Sequence, residues 1–94
     1  MAVTFQASAY GFKQCVSKSI ALGEGTITSA TMLVAVTSTG PYSANFYLSA
    51  DGGANWEEVT PNVNHVFTNS GTDLRWKITG SGPFRVTKVT VDYA

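Results

Sequence analysis

Cysteine and histidine occur once each in these 94 residues. With Cys15 alone, an internal disulfide and a thiolate-rich zinc site are both excluded. Charge is also scarce, with charged residues at 13% of the chain, about half the share of an average soluble domain. Six basic and six acidic residues cancel. Without a positive excess there is no counterion-release drive toward a phosphate backbone, so nucleic acid is not an expected partner. No apolar run approaches the roughly 20 residues of a membrane-spanning helix, and no membrane partner is expected. The opening Met1-Ala2-Val3-Thr4-Phe5-Gln6 has neither a basic region nor a sustained apolar run, so no secretory signal is expected there. Nowhere does the spacing of apolar residues describe an amphipathic helix.

What is present is alternation of period two, from end to end, between Gly, Pro and Asn punctuation. Phe12, Val16 and Ile20 share one parity, which leaves Cys15 facing away from the core. Gly23-Glu24-Gly25 predicts a turn. Met32-Leu33-Val34-Ala35-Val36, apolar at every position, predicts a central strand covered on both faces. Ser38-Thr39-Gly40-Pro41 and Pro61-Asn62-Val63-Asn64 are turn clusters. A short strand at His65-Val66-Phe67 is expected to end at a turn over Asn69-Ser70-Gly71. Leu74, Trp76 and Ile78 then alternate with Arg75, Lys77 and Thr79 as a half-buried strand. Phe84 and Val86 have even parity, whereas Val89, Val91 and Tyr93 have odd parity; burying all five requires an extra residue, so the expectation is a β-bulge at Thr87-Lys88 or a strand that begins only after it. The expectation is one all-β domain over residues 1–94, an antiparallel β-sandwich of jelly-roll type with about eight short strands.

The most specific motif is Ser49-Ala50-Asp51-Gly52-Gly53-Ala54-Asn55-Trp56, which follows the Ser-x-Asp-x-Gly-x-Thr-Trp order of an Asp-box at all but one position. Such a box makes a hairpin tip from Ser49, Asp51, Gly53 and Trp56: Asp51 bonds backbone amides, Gly53 accepts positive φ, and Trp56 pins the returning strand over Asn55 to Val59. Continued through His65-Val66-Phe67 and Gly71-Thr72-Asp73-Leu74-Arg75-Trp76-Lys77-Ile78, the pattern resembles a module of tailed-phage virion proteins. The resemblance covers about the second half of the chain. It implies a jelly roll in a tail or fibre protein, a carbohydrate-binding appendage or a capsid-decorating protein. The length, with no stalk or collagen-like tract in the sequence, favours a head decoration or cement protein.

Candidate sites are few. His65 reads as a half-buried packing group, and Cys15 as a small apolar residue with only Lys13 and Lys18 near it in sequence. The expectation is that the protein is not an enzyme and has no cofactor or metal. Asp51, Glu57 and Glu58 fit no calcium loop, and adjacent Glu57 and Glu58 point to opposite faces. Trp56 and Trp76 are expected in the core. The candidate interaction face comprises Tyr42, Tyr47, Arg75, Lys77, Arg85 and Lys88. All six basic residues lie outside the segment from Ile20 to Leu74, which carries Glu24, Asp51, Glu57 and Glu58, and a jelly roll could gather Lys13, Lys18, Arg75, Lys77, Arg85 and Lys88 into one patch. The expected partners are the major capsid protein and further copies of this chain, most simply as a trimer, on a virion made in the host cytoplasm. Exposed Tyr42 and Tyr47, with Asn45 beside them, offer a polysaccharide platform as the alternative.

Overall fold

The computed structural model describes residues 2–5, 9–10, 14–17 and 21–93, with 2–5, 9–10, 15 and 21–24 described through the backbone alone. Among these residues the only regular structure is antiparallel sheet. In chain order the segments are β1 (Ala2–Phe5), β2 (Ala9–Tyr10), β3 (Gln14–Val16), β4 (Ala21–Ser38), β5 (Ser43–Ser49), β6 (Glu57–Val59), β7 (Asn64–Ser81) and β8 (Phe84–Tyr93). Their hydrogen-bonded order is β1-β8-β4-β7-β5-β6, with β2 also on β8 and β3 also on β7.

The expectation of about eight short strands is corrected. Five strands reach four residues or more, β2, β3 and β6 are mere two- or three-residue segments, and β4 and β7 run for 18 residues each. Both long strands pass through sites expected to be turns, Gly23-Glu24-Gly25 and Asn69-Ser70-Gly71. The ladder absorbs the surplus on each side in turn. From Leu22↔Asp73 to Ile27↔Gly71 the extra residues lie on β4, and from Ile27↔Gly71 to Ser29↔Val66 they lie on β7. The paired interruptions bend both strands without ending them. Gly71 sits where a Cβ would fall 2.3 Å from the Ala50 carbonyl oxygen, so the close approach of two backbones requires glycine there. His65-Val66-Phe67 becomes the start of β7 and not a strand of its own.

Past these bends each long strand changes partners. β4 pairs with β7 up to Thr31 and with β8 from Ala30 to Ser38. β7 pairs with β5 from Arg75 to Ser81 and, on its other edge, with β3 at Lys77 to Thr79. One continuous cluster forms the core, drawing Ile27 and Met32 from β4, Leu48 from β5, Val59 from β6 and Phe67, Leu74, Trp76 and Ile78 from β7. β8 adds Phe84, Val86, Val89, Val91 and Tyr93.

The bulge is where the parity shift required it. Ala35 pairs with Lys88 and Val36 with Val86, which leaves Thr87 as the extra residue; its hydroxyl donates to the Ala35 carbonyl at 3.3 Å. Leu74, Trp76 and Ile78 are buried as their alternation predicted. The reading of Met32 to Val36 as covered on both faces is corrected: Met32 is fully buried, but Leu33 is 39% exposed and Ala35 is exposed. Nor is it central: the ladder with β7 ends at Thr31, so from Met32 to Val36 the strand pairs with β8 alone, and a ladder partner covers a strand's edge and not its face. Phe12, Lys13, Lys18 and Ile20 lie outside the described residues. So does the side chain of Cys15, whose backbone pairs with Ile78.

Candidate interaction surface

The side-chain bonds of the Asp-box hairpin are all local. The Ser49 hydroxyl donates to Asp51 Oδ1 at 2.7 Å and accepts from the Gly53 amide at 2.9 Å. Asp51 Oδ1 also accepts from the Asn55 amide at 2.9 Å, and Oδ2 from Asn55 Nδ2 at 2.7 Å. The Ser49 hydroxyl first, then the Asn55 side chain and amide, hold the Asp51 carboxyl below the usual carboxylate range. Gly52 and Gly53 take φ of 75° and 90°, which a Cβ would resist. Asn55 thus fills the position where the Asp-box order has Thr. All three of these carboxylate bonds go to residues of the turn, as the sequence context of Asp51 implied.

Trp56 is corrected from a core residue to a half-exposed one. It packs over Gly53, and Lys77 Nζ lies 4.7 Å from its ring centroid and 4.8 Å from that of Tyr47. The pairings Val16↔Lys77, Lys77↔Tyr47 and Tyr47↔Glu58 set these residues in one row across β3, β7, β5 and β6, on the face opposite Trp76. The box returns its tryptophan to the outer side of β7, where the Lys77 ammonium lies over the ring and the ring quadrupole holds the cation. Arg75, next on that side, bonds Asp73 through Nε at 3.4 Å and Nη2 at 3.2 Å. Tyr42 is 45% exposed and stacks on Phe84 at 5.2 Å.

Of the six residues read as one interaction face, Tyr47, Arg75 and Lys77 come together with Trp56. Arg85 and Lys88 are exposed on β8, which pairs with β1, β2 and β4 and not with β7. Among the described residues no cluster of His, Cys, Asp and Glu has the makings of a metal site. No family model, curated protein or solved structure matches the chain.

Glu57 is the organising side chain that sequence reasoning missed. Its Oε1 lies 2.9 Å from His65 Nε2 and accepts from the Thr68 amide at 2.9 Å, while Oε2 accepts from the Asn69 amide at 2.9 Å. Burial pushes its carboxyl up, but the two amides and the His65 ring outweigh that and bring it below the usual range. One carboxylate therefore fastens β6 to the bulged stretch of β7. The expected opposition of Glu57 and Glu58 holds, with Glu58 exposed. His65 meets Phe67 edge-on at 5.2 Å, in keeping with its reading as a packing group. Only the position of Glu57 immediately after the Asp-box hinted at its role, since its amide partners lie 11 and 12 residues further along.

Proposed function

We propose that the protein is a non-enzymatic structural component of a tailed-phage virion, a decoration or cement protein that binds the capsid surface and stabilises it. One observation carries the reading. The two segments with the phage-module pattern, the Asp-box hairpin and the strand from Gly71 to Ile78, are joined by reciprocal backbone bonds: Gly52 N–H to the Asp73 carbonyl and Asp73 N–H to the Ala50 carbonyl, each at 3.0 Å. Contact between the two stretches supports reading the sequence pattern as one unit. A jelly-roll sandwich accounts for the partner exchange along β4 and β7, because ladders that diverge past a bend let two layers enclose one cluster.

The mechanism is mechanical. Copies of the chain, most simply trimers, bridge neighbouring capsomers and add contact area that symmetry repeats over the shell. Heads stripped of the protein are expected to burst at a lower temperature than decorated heads, and re-addition restores the difference. Equal bursting temperatures would remove the proposal. Aromatic exposure supports a second reading, a carbohydrate- or receptor-binding module, with Tyr42 as the most open aromatic ring among the described residues. Copy number separates the two: hundreds per particle fit decoration, and a handful fit a tail appendage.

A further inference from the structure

The bulge at Thr87 has a chemical consequence on the outside of the sheet. Arg85 and Lys88 are three positions apart, so an unbroken strand would send them to opposite faces. With Thr87 absorbed, Arg85 pairs with Thr37 and Lys88 with Ala35, and both cations stand exposed on one face. The next row is Leu33↔Thr90, with Leu33 39% exposed, and beyond it Thr31↔Asp92, with Asp92 exposed. Along β4 this outer face therefore runs cation, cation, aliphatic, anion. Successive rows are two residues apart, about 6.8 Å in an antiparallel strand.

Each cation borders its own shallow groove. Lys88 lines one of about 280 Å³ with Leu33, Val34, Ala35, Asn62 and Thr90. Arg85 lines a second of about 270 Å³ with Thr37, Ser38 and Thr39. The small residues opposite the cations, Ala35 and Thr37, leave this space.

The geometry points to this face as the docking site of an extended acidic segment of a protein partner. Carboxylates at alternate positions of that segment meet Arg85 and Lys88, and the following alternate side chain, an apolar one, covers Leu33. It rests on the docking role proposed above and names the partner's chemistry. An extended peptide is favoured over a polysaccharide because its same-side side chains repeat at the spacing of the rows.

The test uses a synthetic peptide, acetyl-Ser-Glu-Ser-Glu-Ser-Leu-Ser-amide, added to the isotope-labelled protein and followed by amide NMR shifts. Movement is expected at Leu33, Ala35, Thr37, Arg85, Lys88 and Thr90, fading as salt rises. Replacing both peptide Glu by Gln, or making Arg85→Glu with Lys88→Glu, is expected to weaken binding by about tenfold or more. Both residues are exposed, and an otherwise unchanged spectrum verifies the variant's fold. Equal affinity for the Gln peptide, or shifts confined to Tyr47, Arg75 and Lys77, would overturn the proposal. So would oligogalacturonate binding this face more tightly than the peptide, which would reassign the site to acidic polysaccharide. On particles, a double variant that decorates as the wild type does would overturn the site but not the virion role. Wild-type protein that takes the peptide here yet never joins a particle would overturn the virion role alone.

Discussion

At the scale of the residue, two carboxylates do different work from similar surroundings. Asp51 binds groups within four positions of itself, so its bonds form with the hairpin and were legible in Ser49, Asp51 and Asn55. Glu57 binds across two strands, and its amides come to it only when β7 folds over β6. Because its folded pKa lies below the ordinary value, Glu57 contributes stability that is present above its unfolded pKa and lost as pH falls through the folded one. In an NMR pH titration the Thr68 and Asn69 amide protons are expected to shift together as Glu57 protonates, with a midpoint below that of a free glutamate. A midpoint at or above the free value would refute the clamp. Glu57→Gln is expected to remove the shared titration and cost about 1 to 3 kcal/mol in urea denaturation.

The bulge and the paired bends of β4 and β7 belong to the scale of the element. Deleting Thr87 restores strict alternation to β8, which turns either Phe84 and Val86 or Val89, Val91 and Tyr93 out of the core. Each large apolar side chain so exposed forfeits roughly 1.5 to 3 kcal/mol, so the deletion is expected to abolish cooperative unfolding in circular dichroism melts. A variant that melts as sharply as the wild type would disprove the pairing. The bulge was readable because burial parity is a local property: two sets of apolar residues on opposite parities cannot share a face without an extra residue between them. The continuity of β4 and β7 was not readable. Gly23-Glu24-Gly25 and Asn69-Ser70-Gly71 have turn composition, and only the facing irregularity in the partner strand lets each act as a bend within a ladder.

For the whole molecule, the central fact is one contiguous core fed by β4, β5, β6, β7 and β8. Trp76 is 3% exposed within it. Trp76→Ala is expected to cost about 3 to 5 kcal/mol, read as a lower guanidinium midpoint with an unchanged slope. A loss under 1 kcal/mol would mean that the core closes around the gap or never packed on the ring. Trp56, in contrast, lies on the outer side beneath Lys77, although both tryptophans follow strand-like patterns.

The sequence by itself determined the all-β class, the Asp-box hairpin, the burial of Leu74, Trp76 and Ile78 and the bulge in β8. Each depends on side-chain parity or on bonds within a few residues, and such constraints act before distant strands meet. Only the tertiary structure decided that β4 and β7 run through their bends and that Glu57 clamps the second of them. It alone decided that Trp56 faces outward with Lys77, and that Arg85 and Lys88 stand together on a different strand from Arg75. Those outcomes depend on which strands become neighbours, and strand neighbourhood is chosen by the packing of the whole core, which no local pattern encodes.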